Sequence, residues 1–179
     1  MPNLKQTSLY GPFFILCSFF IRVEENLYTD CEIAKNSTRI VVAGGSISEI
    51  IYFLGSQDKI VALDVTSNYP EIAKELPSIG YVRNLSAEGI LSMNPSIILG
   101  EDDMGPPGVI KQLREVNIDL RIIPEKKTID GILDKIYCIA SIIDKVSQAE
   151  NRINDYLIPD ILRLEKSLQL SILNPKKVM

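Results

Sequence analysis

Four short runs of β-branched and aliphatic residues constrain the fold more than any other feature of this sequence. They occupy residues 39–43, 59–63, 96–99 and 119–123, and each is followed by a segment in which apolar residues recur at helical spacing. Runs this short and apolar are typical of strands buried on both faces of a sheet. Strands that alternate with helices pair in parallel, because each helix returns the chain to the start of the next strand. The sequence therefore predicts an α/β fold with a parallel four-stranded sheet and helices on both faces.

Serine and threonine residues mark where the helices should begin. Four of them are predicted N-caps, and the first and last have a glutamate three residues later, as in a capping box: Ser46, Ser86, Thr128 and Ser147. The apolar positions of the helix that Thr128 opens, from Ile129 and Ile132 to Ile143, are predicted to pack in the core. The last helix is predicted to be long, with an apolar stripe from Ile153 to Leu168 and a kink at Pro159.

The N-terminal segment, residues 1–38, has features of an export signal. Lys5 supplies a weak positive region, and residues 11–21 form an apolar run that is too short to span a bilayer. Cys17 lies inside that run, which is a poor position for a lipoprotein site. The expectation is secretion to the periplasm, and the alternative is a degenerate leader. Cys17, Cys31 and Cys138 lack metal-ligand spacing, and Cys138 is predicted to be a buried small hydrophobic residue.

Composition excludes some functions and narrows the choice of ligands. The formal net charge is −4, and lysine and arginine are scattered, which argues against a nucleic-acid-binding protein. The chain contains no histidine, so the commonest metal and haem ligand is missing. Residues 101–103 are three adjacent carboxylates without the alternation of a calcium loop, and they are predicted to face water. Met104, which follows them, is a weaker candidate for contact with a flat apolar ligand.

The loop at residues 76–89 contains the best candidate for a binding group. In an extended backbone Tyr81 and Arg83 would project to the same side. A guanidinium near a phenol favours the phenolate, which is a hard oxygen donor suited to ferric iron, and tyrosine is a known axial ligand of haem. If the protein binds an iron porphyrin, Tyr81 is therefore the predicted metal ligand, and Arg83 is the group that tunes it.

Two other loops are candidates for polar contacts with a ligand. After the first strand, Gly44, Gly45 and Ser46 lead into a helix whose N-terminus favours an anion, which would be a propionate if the ligand is haem. A tight turn that needs glycine explains the same residues. Thr66 and Ser67 follow the second strand at the edge where ligands bind in open α/β sheets, although turn chemistry also accounts for them.

The run GYVRNLSAEG at residues 80–89, continuing to residue 99, resembles the periplasmic haem-binding proteins of bacterial ABC-type haem importers, in which the pattern is G-Y-x-R-x-L-S-x-E-G. Residues 42–55 are similar to the opening strand and helix of that family, and residues 64–70 to its next loop. The resemblance implies that Tyr81 ligates the iron and that Arg83 contacts Tyr81. It also implies a two-lobed architecture in which a long helix joins the lobes and haem lies between them.

On this resemblance the chain divides into a leader (1–38), an N-terminal lobe (39–146), a connector helix (147–173) and a truncated start of a second lobe (174–179). The implied function is haem binding and delivery to a membrane permease, without enzymatic activity. By analogy Glu71 and Glu75, four residues apart on a predicted helix, are docking candidates for the permease, while a solvated helix face is the alternative. The other functions considered are a siderophore- or cobalamin-binding protein of the same fold and a nucleotide-binding enzyme lobe.

Overall fold

Buried aliphatic strands form the centre of the fold. The computed structural model describes residues 31–173. Four parallel strands, β1 (Ile40–Ala43), β2 (Ile60–Leu63), β3 (Ile97–Glu101) and β4 (Asp119–Ile123), form one sheet in the order β2-β1-β3-β4. The predicted α/β fold with a parallel four-stranded sheet is therefore confirmed.

Within residues 31–173, six α-helices surround the sheet or continue beyond it: α1 (Gly45–Phe53), α2 (Ala87–Ser92), α3 (Pro107–Glu115), α4 (Ile129–Ile142), α5 (Val146–Arg152) and α6 (Ile158–Leu173). Alternate residues of the strands point to opposite faces, as pleating requires. Ile40 and Val42 pack in the cluster that includes α1 and α4, whereas Val41 and Ala43 pack with α2 and α3. Both faces of the sheet are thus covered.

Two of the four predicted N-caps are confirmed. Ser86 and Thr128 cap α2 and α4, because their hydroxyls accept hydrogen bonds from the amides of Gly89 and Gly131 at 3.2 and 3.0 Å. The prediction was wrong for Ser46 and Ser147, because each is the second residue of its helix. The N-cap residues are Gly44 and Lys145, and neither makes a side-chain capping hydrogen bond. A capping-box spacing does not fix the helix start when the hydroxyl bonds elsewhere, as that of Ser46 does.

Only part of the predicted apolar stripe of α4 is buried. Ile136, Ile139 and Ile143 are buried as predicted, but Ile129 and Ile132 are exposed, so their assignment to the core was wrong. Both lie in the first part of the helix, where Ile132 borders an open groove toward α1.

The predicted connector is helical from Val146 to Leu173 but not uniformly α-helical. A π-helical turn, Ile153–Leu157, separates α5 from α6, and the amide of Ile158 donates to the carbonyl of Ile153. The kink at Pro159 stays a prediction, and the irregularity in the structure is this wider turn, which ends two residues before the proline. Ile153 is buried, whereas Leu164 and Leu168 of the predicted stripe are exposed.

A disulfide joins Cys31 to Cys138 of α4, with the two Cα atoms 4.8 Å apart. The prediction that Cys138 is buried was right, but the prediction that it is a simple hydrophobic residue was wrong, because its sulfur is bonded. The amide of Ala34 also donates to the carbonyl of Ile142 at 3.0 Å. The end of the predicted leader is thus fastened to α4.

No helix within residues 31–173 is long and apolar enough to cross a membrane. The predictions for Lys5, Cys17, the apolar run at 11–21 and the segment 174–179 lie outside the described residues.

Candidate ligand-binding site

The loop that contains Tyr81 is attached to the carboxyl end of β2. The amide of Ile79 donates to the carbonyl of Leu63 at 2.9 Å, and the amide of Val65 donates to the carbonyl of Gly80 at 2.9 Å. A parallel bridge joins Leu63 to Ser78. The loop therefore continues the sheet at its edge and places Tyr81 where the strands end.

Tyr81 begins a tight turn rather than an extended segment. The amide of Asn84 donates to the carbonyl of Tyr81 at 2.7 Å, and Gly80 enters the turn with φ of 95°, which favours glycine. The predicted extended backbone was therefore wrong. Val82 is buried between Tyr81, whose exposure is 45%, and the exposed Arg83, so both candidate side chains still face outward.

The turn is also fastened to the loop after β3. The amide of Gly105 donates to the carbonyl of Val82, and the amide of Leu85 donates to the carbonyl of Gly105, both at 2.9 Å. The Nε atom of Arg83 donates to Oδ2 of Asp103 at 2.8 Å in the same loop. This bond raises the pKa of the Arg83 guanidinium, and the negative charges of a Tyr81 phenolate and of Asp103 raise that pKa further. The loop after β3 therefore holds Arg83 at the rim of the sheet, two residues from Tyr81.

The three adjacent carboxylates at the end of β3 have separate partners. Asp103 binds Arg83, Asp102 accepts from the amide of Glu125 at 3.2 Å, and Glu101 turns toward α1. The prediction that all three face water is confirmed for Asp102 and Asp103, which are exposed, and was wrong for Glu101, whose side chain is only 17% exposed. No cluster of three or more histidine, cysteine or acidic residues suited to a metal occurs in the described part of the chain. Met104 is buried but lines a cavity beside α3, so its contact with a flat ligand stays a prediction.

The predicted anion site at the N-terminus of α1 holds a carboxylate of the protein itself. Oε1 of Glu101 accepts from the amide of Ser46 at 3.2 Å and from its hydroxyl, and the ammonium of Lys135 lies 3.3 Å from the same oxygen. The predicted propionate contact with Gly45 and Ser46 thus coincides with an occupied position. Sequence reasoning missed Glu101 and Lys135, although a lysine among the apolar positions of α4 signals a buried ion pair.

Asp64 organises the loop that contains Thr66. Its carboxylate accepts from the amide and hydroxyl of Thr66, from the hydroxyl of Ser67 at 2.7 Å and from the amide of Gly44 at 2.9 Å. Asp64 and Ser67 are buried. The hydroxyl of Thr66 therefore stabilises the loop, and sequence reasoning missed the aspartate that determines this arrangement.

A cavity of about 710 Å³ opens between α1 and α4, within the range of small-molecule sites. Its lining combines apolar side chains with lysines and glutamates and includes Ser46, Tyr69, Lys127, Lys135, Ile136 and Leu157. Tyr81 does not line this cavity, so the phenol and the cavity are distinct features of the same lobe.

The segment with the predicted docking glutamates is a 3₁₀ helix, Glu71–Glu75. A 3₁₀ helix has three residues per turn, so residues four apart do not lie on one face. The prediction that Glu71 and Glu75 share one face of a helix was therefore wrong. Glu71 forms an exposed ion pair with Lys74 at 2.8 Å. Both glutamates are exposed.

Comparison with known proteins identifies similar structures. The periplasmic haem-binding protein RhuT from Roseiflexus sp. RS-1 is 39% identical, with a TM-score of 0.61, over 65% of this chain and 44% of that one. A periplasmic haem-binding protein from Pseudomonas aeruginosa is 33% identical, with a TM-score of 0.70, over 78% of this chain and 49% of that one. A vitamin B12-binding protein from Vibrio cholerae is 30% identical over 102 residues, which are 57% of this chain and 37% of that protein.

The chain thus spans about half the length of the haem-binding proteins and less than two fifths of the vitamin B12-binding protein. A family model described as periplasmic binding protein matches residues 40–158. Because that family consists of binding proteins rather than enzymes, the expectation that the chain is not an enzyme is confirmed. Sheet order, the carboxyl-edge site and this match lead to one conclusion: the chain belongs to the periplasmic binding protein family.

Proposed function

We propose that this chain is the haem-binding lobe of a periplasmic carrier that delivers haem to an ABC permease in the inner membrane. The observation that carries the proposal is the position of Tyr81, a residue that is 45% exposed at the carboxyl edge of the sheet and lies two residues from Arg83, which Asp103 holds in place. Phenolate oxygen is a ligand for ferric haem, and no histidine is present to compete with it. In this proposal Tyr81 ligates the iron and Arg83 tunes its phenolate.

The other predicted site residues, Gly45, Ser46 and Thr66, border the ligand in this proposal and do not bind its carboxylates. Gly45 is close-packed, because a Cβ there would lie 3.2 Å from the carbonyl oxygen of Thr66. The hydroxyls of Ser46 and Thr66 are bonded to Glu101 and Asp64. These residues shape the edge of the sheet that the ligand approaches.

Export to an oxidising compartment agrees with the disulfide between Cys31 and Cys138, since disulfides persist in the periplasm and are rare in the cytosol. Docking to the permease is proposed for Glu71 and Glu75, whose carboxylates are exposed on the 3₁₀ helix.

The test is the visible spectrum of the purified chain after addition of haemin. The expected result is a high-spin ferric tyrosinate spectrum that Tyr81→Phe abolishes. Tyr156→Phe, which removes an exposed hydroxyl on the connector, is the matched control and should leave the spectrum unchanged. An identical spectrum in Tyr81→Phe would contradict the assignment of the iron ligand.

Cobalamin is the second candidate, because the similar proteins include vitamin B12-binding proteins. A cobalamin or siderophore site would not require the phenol and guanidinium, so Tyr81→Phe should leave such binding nearly unchanged. Titration of both proteins with cyanocobalamin and haemin distinguishes the two functions.

This part of the protein covers one face of a ligand. Since apolar burial contributes roughly 25 cal/mol per Å², loss of the opposite face weakens binding considerably. We therefore propose that the haem affinity of this chain is well below that of a relative with both lobes. Equal affinity in side-by-side titrations would contradict this.

A further inference from the structure

Three hydrogen-bond donors converge on one oxygen at the N-terminus of α1. They are the amide of Ser46, at 3.2 Å, the hydroxyl of Ser46, and the ammonium of Lys135, at 3.3 Å, and the oxygen is Oε1 of Glu101. A helix N-terminus and a buried ammonium both attract anions, so this corner would bind a carboxylate strongly if it were free. In the structure the carboxylate comes from β3.

The arrangement is built into the packing of the lobe. Lys135 is only 6% exposed, and the side chain of Glu101 is 17% exposed. A Cβ at Gly44 would overlap Cγ and Cδ of Glu101, so the glutamate lies directly against the glycine backbone. The carboxylate of Glu125 approaches Lys135 as well, at 3.9 Å.

The local charge balance follows from these contacts. Lys135 contributes one positive charge, whereas Glu101 and Glu125 contribute two negative charges. Because Glu101 is tethered to β3, its effective concentration at Ser46 exceeds that of any free ligand. A carboxylate of a ligand would therefore meet an occupied set of donors and a repelling neighbour. The adjoining cavity also carries Glu49, Lys126 and Lys127.

We propose that Glu101 is a specificity-determining residue that excludes ligand carboxylates from the α1 end of the binding edge. The inference rests on the proposed function and deepens it, because a tetrapyrrole with carboxylates on one side is then oriented with that side away from Ser46. Neutral or apolar groups of the ligand face the α1 end. Glu101 acts through charge and through its hold on Ser46 and Lys135, without ligating the iron.

The experiment compares haemin with its dimethyl ester, which lacks the two carboxylate charges, in the wild type and in Glu101→Gln. Removing the charge of Glu101 leaves the positive charge of Lys135 balanced only by the carboxylate of Glu125, at 3.9 Å, so the site attracts a ligand carboxylate more strongly. The expected result is that haemin affinity rises about tenfold while ester affinity changes less than about twofold. Glu165→Gln, which removes one carboxylate charge from the exposed surface of α6, is the matched control and should alter neither affinity by more than about twofold.

Equal changes for haemin and ester, or no change for either, would overturn the inference. A direct measurement on the wild type keeps it testable if Glu101→Gln does not fold. In the structure of the haem complex, Glu101 should still accept from Ser46, and a propionate oxygen within about 3.5 Å of the Ser46 amide would overturn the proposal. Failure of the proposed function is a separate outcome, since it would appear as the absence of a Tyr81-dependent haemin spectrum in the wild type.

Discussion

The Nε atom of Arg83 lies 2.8 Å from Oδ2 of Asp103, so the guanidinium two residues from Tyr81 is held by the loop that follows β3. The two side chains are 64% and 41% exposed, and exposed ion pairs contribute little to stability. Asp103→Asn should therefore leave the urea midpoint of unfolding almost unchanged. It should nevertheless weaken haemin binding two- to threefold, roughly, because Arg83 loses the bond that fixes its position. Urea unfolding and haemin titration measure the two effects.

The control is Lys111→Gln, which breaks another exposed ion pair, between Lys111 and Glu115 at 3.9 Å on α3. It should have a similar small effect on stability and none on haemin binding. An Asp103→Asn protein that binds haemin as tightly as the wild type would show that Arg83 does not need this carboxylate.

Gly44 is the position where an added methyl group should be most costly. Its φ is 149°, which side chains with a Cβ rarely adopt, and the Cβ would overlap Glu101. Gly44→Ala should destabilise the protein by about 2–4 kcal/mol, because backbone strain and a steric overlap act together. Gly108→Ala is the matched control: a Cβ there meets nothing within 4 Å, and the site lies in α3, so this change should be neutral or stabilise by up to about 1 kcal/mol. Equal unfolding midpoints for the two variants would contradict the role of Gly44.

The disulfide between Cys31 and Cys138 joins residues 107 positions apart in the chain. Cross-links that close long loops restrict the unfolded chain, and typical contributions are about 2–4 kcal/mol. Cys138→Ser should lower the unfolding free energy by roughly that amount, and Cys31→Ser by a similar amount. The double variant should be no less stable than the weaker single variant, because both changes remove the same bond. Reductant should shift the urea midpoint of the wild type but not of the variants, and a wild-type midpoint unaffected by reductant would contradict this contribution.

The parallel sheet was predictable because buried strands leave a strong local signal. Two of the runs, Ile40–Ala43 and Ile97 to Leu99, have aliphatic side chains on both faces of the strand. A helix follows each of them. The boundaries of the helices were less predictable, because Ser46 has the local spacing of a cap but bonds to Glu101, which is 55 residues away. Such a tertiary partner leaves no trace in the local pattern.

The candidate site was predictable in its exposed residues and not in its buried ones. Tyr81 and Arg83 stand out because a phenol and a guanidinium lie two residues apart in the run GYVRNLSAEG. Asp64, Glu101 and Lys135 act through partners on other elements, and their pairing depends on the sheet order. The disulfide was missed for the same reason, since Cys31 lies near Cys138 only after α4 folds against the end of the leader.

Tyr52 should make the protein sensitive to alkaline pH. Its pKa is raised above the usual value of 10.0, first by burial and then by the carboxylate of Glu75. Both causes disfavour the phenolate in the folded state, so the unfolded chain loses this proton at a lower pH than the folded one. The folded state then holds more protons than the unfolded state above about pH 10, and stability falls as pH rises through that range, whereas below it the shift has no effect.

Tyr52→Phe removes this proton, and the loss of stability between pH 9 and pH 11 should therefore be smaller in the variant than in the wild type. Urea unfolding midpoints at the two pH values measure it, and Tyr156→Phe, at an exposed site, serves as the control for loss of a hydroxyl. Glu75→Gln should give an intermediate loss, because it removes the second cause and leaves burial intact. Wild type and Tyr52→Phe could instead lose the same stability over this interval. The phenol of Tyr52 would then ionise equally easily in the folded and unfolded chains, and neither its burial nor the charge of Glu75 would affect the stability of the fold.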